Sequence, residues 1–248
     1  MNFPGIRIHL TETDSTNKYA RESVAWQGEA TLITTDHQTA GRGQRGNAWE
    51  SEAGKNLLFT LILPTQCIKA CEQFALSELI SVAICEVLAQ YTTDIRIKWP
   101  NDIYYKDKKL CGILIEHDLE GVHLSRSLIG IGLNVNQTRF VSNAPNPISL
   151  AQILGHEIAR ETLLNAIISR IIELYEQYTS SVPTLGRDAL HAYYTQQLYR
   201  RNIQAPYSDA KGEFTAILRT VEPDGRLRLE DQQGSVRDYL FKEVSYII

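Results

Sequence analysis

Gln38-Thr39-Ala40-Gly41-Arg42-Gly43-Gln44-Arg45-Gly46-Asn47-Ala48-Trp49 opens on an amide, closes on an indole and sets three glycines and two arginines between them. Gly41, Gly43 and Gly46 remove three β-carbons, so the backbone can approach a ligand and take conformations that strain other residues. Arg42 and Arg45 add fixed charge in forked donors that match phosphate or carboxylate oxygens. Taken alone, the stretch is a phosphate clamp or a glycine-rich surface turn, and its neighbours decide. Thr31-Leu-Ile-Thr-Thr-Asp36 before it is a β-branched strand that delivers the chain into the loop. Leu57-Leu-Phe-Thr-Leu-Ile-Leu63 after it, stopped by Pro64, has the near-continuous apolar character of a strand buried on both faces.

Working outward, Ile6 to Thr11 alternates like a half-buried strand, and Asp14 or Ser15 is placed to cap a helix running from Lys18 to Trp26. Ser15, Thr16 and Asn17 are either capping residues or part of a site. Apolar positions at helical spacing predict a long helix between Ile68 and Tyr91. Ile95 to Trp99 and Ile103 to Lys106 are strands broken at Pro100-Asn101-Asp102. They are followed by strands from Lys109 to Glu116 and from Val122 to Asn136. Gly112, Gly130 and Gly132, inside strand patterns, mark close approach of a ligand or another backbone. Helices are predicted at 149–154, 161–178 and 185–199. From Asn202 the pattern changes to short strands between turns, a β module of about 45 residues that is too small to be stable undocked.

The chain has 248 residues, 43% hydrophobic and 22% charged, the composition of a globular protein. A net charge of −4 and a pI near 5.9 argue against a nucleic-acid face as its main business. No apolar run is long enough to cross a bilayer and the N-terminus does not resemble a signal peptide, so a cytoplasmic protein is expected. Cys67, Cys71, Cys85 and Cys111 have no zinc-like spacing and read as small hydrophobes. Gly130-x-Gly132 lacks the third glycine and helix of a dinucleotide fold, and no Walker-type phosphate loop is present.

Four elements occur in order: Ser15-Thr-Asn17, the Gln38 to Trp49 loop, Lys98-Trp-Pro-Asn-Asp102 with Lys109-Leu-x-Gly112, and Gly130-x-Gly-x-Asn134. Together they resemble the biotin protein ligases over nearly the whole chain. The resemblance implies an α/β (α+β) catalytic domain over residues 1–200, with a mixed sheet and flanking helices like those of class II aminoacyl-tRNA synthetases. A small C-terminal β-barrel similar to Src-homology domains follows at 201–248. It also implies a reaction. Biotin and MgATP give biotinyl-5′-adenylate and pyrophosphate, and the acyl group then passes to a lysine of a biotin carboxyl carrier protein. Lipoate or octanoate transfer on the same architecture, and a non-catalytic biotin-binding regulator, are the alternatives. The bifunctional members carry an N-terminal DNA-binding domain. Here the first strand begins near Ile6, so no specific DNA binding is expected, nor any membrane partner; an oligomer is possible.

Carried over position by position, the resemblance makes Lys109 and Arg42 the catalytic cations. Ser15, Thr16, Gln38, Gly41, Arg42, Lys109 and Gly112 would bind biotin. Arg42, Arg45, Trp49, Asn101, Lys109 and Asn134 would bind ATP, with adenine on Trp49. Asp102 would assist Mg²⁺ at the ATP phosphates, or the incoming lysine, and no tightly bound prosthetic group is implied. Family loops often carry a denser run of arginines than this one, which has Gln44 and Asn47 at two such positions.

Overall fold

The computed structural model describes residues 3–43, 48–142, 146–180 and 184–248. In chain order the elements are β1 (Ile6–Thr13), α1 (Thr16–Glu22), β2 (Thr31–Gln38), β3 (Leu57–Pro64), α2 (Phe74–Leu88), β4 (Ile95–Lys98), β5 (Asp102–Tyr105), β6 (Lys108–Glu120) and β7 (His123–Leu133). Then come α3 (Leu150–Leu154), α4 (Arg160–Thr179), α5 (Arg187–Gln196), β8 (Gln204–Asp209), β9 (Gly212–Val221), β10 (Leu227–Asp231), β11 (Val236–Tyr239) and β12 (Val244–Tyr246).

The first seven strands form one mixed sheet in the order β1-β2-β3-β7-β6-β5-β4. Only β1 and β2 run parallel, because α1 crosses between them. β3 lies third in the sheet and is buried on both faces, as its apolar run requires. Leu57, Phe59, Leu61 and Leu63 face the main core with α2, α4 and α5, while Ile62 joins Ala20, Ile33 and Leu128 beneath α1. Thr60 is the one polar residue in this run between Leu57 and Leu63, and it is fully buried.

Two helices differ from expectation. The predicted helix over 18–26 runs from Thr16 to Glu22, so Thr16 and Asn17 lie inside its first turn. The stretch between Ile68 and Tyr91 divides into a single 3₁₀ turn at Ala70–Glu72 and then α2, because Ala70, Gln73 and Leu76 follow tight local bonds before the helix settles.

The last five strands form a separate antiparallel sheet, β11-β10-β9-β8-β12. It curls enough for the Tyr239 hydroxyl on β11 to donate to Asp209 Oδ2 on β8, at 2.8 Å. This sheet is fastened to the first beside the Trp99-Pro-Asn turn. Trp99 Nε1 donates to Gly225 O at 2.9 Å, and its ring meets Phe241 edge-on with centroids 5.7 Å apart.

Candidate functional site

The turn from β1 into α1 is built around Ser15, whose extended backbone (φ −160°, ψ 133°) starts the helix although its hydroxyl makes no capping bond. Local capping falls to Asp14. Its Oδ1 accepts from the Ser15 NH at 2.7 Å and its Oδ2 meets Lys18 at 2.6 Å. The Lys18 ammonium, and then the Ser15 NH, hold the Asp14 carboxyl below the usual carboxylate range. Asp14 therefore secures the backbone of the N-cap residue Ser15, whose side chain takes no capping role and lines the cavity.

Thr16 is fixed from two sides. Its NH and hydroxyl lie 2.8 and 3.1 Å from Gln38 Oε1, joining α1 to the end of β2. Below it, Thr60 Oγ1 on β3 sits 2.8 Å from Thr16 Oγ1 and 2.6 Å from Asn17 Oδ1. Asn17 Nδ2 continues the chain to Glu116 Oε2 at 3.0 Å. With Gln38 Oε1 already accepting, its amide Nε2 is the group left to donate elsewhere.

Glycines make the floor, but not for the reason expected. A β-carbon at Gly130 would lie 2.4 Å from Asn17 Oδ1, one at Gly112 would lie 2.7 Å from Trp49 Cζ3, and one at Gly132 would lie 2.5 Å from Trp49 Cε2. The close neighbours are this chain's own side chains, an amide and an indole, rather than another backbone. Gly41 is also a contact position, since a β-carbon there would lie 2.7 Å from Trp49 O. Trp49 NH donates to Gly41 O at 2.9 Å and Arg42 bridges to Ala48, so the described ends of the glycine loop are pinned side by side. Gln44, Arg45, Gly46 and Asn47 lie outside the described residues.

Lys109 at the start of β6 places Nζ 2.6 Å from Asp102 Oδ2 and 5.7 Å from the centre of the Trp49 ring. Asn134 donates from Nδ2 to Ile148 O at 3.1 Å, while among the described residues its buried Oδ1 and the Trp49 Nε1 have no hydrogen-bond partner. Buried polar atoms of that kind call for explanation, and both lie on residues lining one cavity of about 660 Å³.

That cavity collects Ser15, Thr16, Gln38, Arg42, Trp49, Asp102, Lys109, Gly112 and Asn134, from five separate stretches of sequence. Gly41 is not on the lining, but it packs against Trp49 and Gln38, which are. Asn101 is buried in the turn beside Asp102 rather than on the lining. The lining carries four cations, Arg42, Lys98, Lys109 and Lys242, against the carboxylates of Asp102 and Glu50. Glu50 is occupied at the mouth. Burial pushes its carboxyl up, but bonds from Ser142, Val141 and Gln137 outweigh that and hold it below its ordinary value.

The surplus of positive charge suits an anionic ligand. A resident metal does not fit: among the described residues no group of three or more His, Cys, Asp or Glu could hold one, and one Asp102 oxygen is taken by Lys109.

Sequence reasoning missed Lys98, Tyr104, Phe241, Lys242 and Tyr246, which line the far end. Lys98 was legible only as part of its five-residue block. The others carry no motif, and three of them come from β12 and the turn before it, which only the fold brings to the cavity.

Residues 7–134 match the biotin/lipoate A/B protein ligase family, and the chain belongs to it. It is similar to the bifunctional ligase/repressor BirA of Escherichia coli, 31% identical over 95% of this chain and 72% of that protein. It is also 30% identical to the biotin–[acetyl-CoA-carboxylase] ligase of Paracoccus denitrificans, over 64% of this chain and 68% of that one. Among solved structures it resembles the biotin protein ligase of Aquifex aeolicus in complex with biotin and ATP, with a TM-score of 0.79, 25% identity and 97% of each chain covered.

Proposed function

We propose that this chain is a biotin–protein ligase. It activates biotin with ATP to biotinyl-5′-adenylate and transfers the acyl group to a lysine of a biotin carboxyl carrier protein. The observation that carries the reading is the Lys109 ammonium, anchored on Asp102 over a glycine floor, in a cation-rich cavity whose other end is lined by Ser15, Thr16 and Gln38. Joining a carboxylate to an α-phosphate brings two anions together, and unit charges about 4 Å apart repel by roughly 4 kcal/mol at an effective dielectric of 20. Lys109 and Arg42 offset that repulsion, and Lys109 keeps donors to spare while one is given to Asp102.

Ser15, Thr16 and Gln38 are assigned to the ureido headgroup. The ring needs donors and acceptors, and the Gln38 Nε2 and the Ser15 hydroxyl would supply them. Gly41 and Gly112 let the ligand and Trp49 come close. Trp49 and Asn134 are assigned to the adenine, Asn101 to holding the turn beside it, and Arg42 with Arg45 to the phosphates. Magnesium would arrive with ATP as part of the substrate and sit among its phosphates, near the second oxygen of Asp102. Residues 1–200 are read as the catalytic unit and 201–248 as an accessory one, which the break between the two sheets supports.

Among the described residues no helix is long and apolar enough to cross a membrane. A cytoplasmic location and the absence of specific DNA binding follow our reading of composition and charge. Incubation with ATP, a carrier domain and either biotin or lipoate separates the acids. Mass spectrometry should show one biotinyl group on the carrier and no lipoyl group. Lipoylation instead would move the assignment to the other branch of the family.

A further inference from the structure

We propose that Lys98 binds the pyrophosphate leaving group of the adenylation step, held in place by aromatic faces from both sheets. This rests on the ligase reading above. The order of strands supplies the geometry. Gln38 ends β2, Lys109 lies on β6, Asp102 on β5 and Lys98 on β4 at the edge, so these residues run in a line across the sheet. With biotin's headgroup at the β2 end, its carboxylate meets the α-phosphorus near Lys109. Attacking and leaving oxygens are roughly in line in phosphoryl-type transfer, so the leaving group points on toward β4. As the carboxylate oxygen bonds to the α-phosphorus, the bond to the bridging oxygen breaks. Pyrophosphate then departs with that electron pair, gaining negative charge on the side where Lys98 lies.

Lys98 is suited to receive it. It lines the cavity, and among the described residues it makes no ion pair with a carboxylate. Its partner across the hairpin is Asp102, whose Oδ2 is bound to Lys109 at 2.6 Å. Its ammonium lies 4.7 Å from the centre of the Tyr246 ring on β12 and 5.4 Å from that of Tyr104 on β5. Two ring faces attract a cation without neutralising it, so the charge is aimed and still available. Burial holds the Lys98 ammonium below its ordinary value against the pull of Asp102, and an arriving anion would relieve that. Tyr246 thereby gives the second sheet a positioning part in the first half-reaction.

The test separates the two half-reactions. Lys98→Met should slow biotin-dependent ATP–pyrophosphate exchange by about a hundredfold, the usual scale for loss of one charge-stabilising group, and raise KM for pyrophosphate. Transfer from chemically made biotinyl-adenylate to a carrier domain involves no pyrophosphate. It should stay within about twofold of wild type, which also shows that the variant folds. Lys98→Arg should recover most of the exchange. Tyr246→Leu, which leaves the lysine in place, should raise KM for pyrophosphate but not for biotin. Equal loss in both half-reactions, or no loss in either, overturns the assignment. If the wild-type protein forms no adenylate from biotin, the parent reading fails with it.

Discussion

Lys109 and Thr60 show how differently a single residue can matter here. The Lys109 side chain is partly exposed and its pairing with Asp102 reaches water, so its removal costs little stability. Its role at the α-phosphate predicts a large catalytic effect. Lys109→Ala should lower adenylate formation by about a hundredfold or more while the melting temperature moves by a few degrees at most. Pyrophosphate exchange and calorimetry on one preparation check this, and near-normal exchange in the folded variant would sink the assignment. Thr60 is the reverse case. It is buried at the centre of the sheet and supplies the hydroxyl facing Asn17 Oδ1 at 2.6 Å. Thr60→Val keeps the shape but strands that oxygen, so stability should fall by about 1–3 kcal/mol, measured by urea unfolding. An unchanged midpoint would mean that Asn17 finds another donor.

At the scale of elements, β7 and α2 make two further predictions. The cavity face of β7 presents Gly130 and Gly132, with Asn134 just beyond its end, and Trp49 rests where a side chain at 132 would stand. Gly132→Ala must displace the indole, because a rigid backbone cannot yield to a contact of 2.5 Å. KM for ATP should rise while biotin affinity stays nearly constant, read by calorimetry with each ligand; equal losses would indicate a collapsed strand instead. On α2, the buried Glu78 carboxylate meets His191 Nδ1 of α5 at 2.6 Å. Burial pushes the Glu78 carboxyl up from its ordinary 4.5, and the bond to Glu78 pushes the His191 imidazolium up from 6.5. Both groups then bind protons more tightly folded than unfolded. Their contribution to stability is greatest at low pH and is lost as pH rises from about 4.5 through and beyond 6.5. Glu78→Gln should flatten this slope between pH 5 and pH 8, and parallel wild-type and variant curves would exclude the pair as its source.

For the whole molecule, the sheet strands and the polar residues of the cavity were legible because each rests on local signals: alternation, β-branching, glycine spacing and a lysine beside a turn. Gln38, Lys109 and Asn134 reach the same cavity from distant stretches, as their shared motif order implied. Three features were not legible. The true occupants over Gly112, Gly130 and Gly132 depend on tertiary contact, which a glycine in a strand announces without naming. The polar chain through Thr60 sits inside an apolar run, where a lone threonine looks like ordinary strand propensity. The contribution of Phe241, Lys242 and Tyr246 depends on how the second sheet docks, and no local pattern records docking.

The central claim is that this cavity joins biotin to AMP. Its most direct measurement is incubation of the protein with MgATP and labelled biotin without any carrier, followed by chromatographic analysis of the small molecules. The wild-type protein should give biotinyl-5′-adenylate and pyrophosphate in equal amounts, and Lys109→Ala should show a near-complete loss of both. Recovery of unchanged biotin from the wild-type protein, or formation of an adenylate from lipoate but not from biotin, would contradict it.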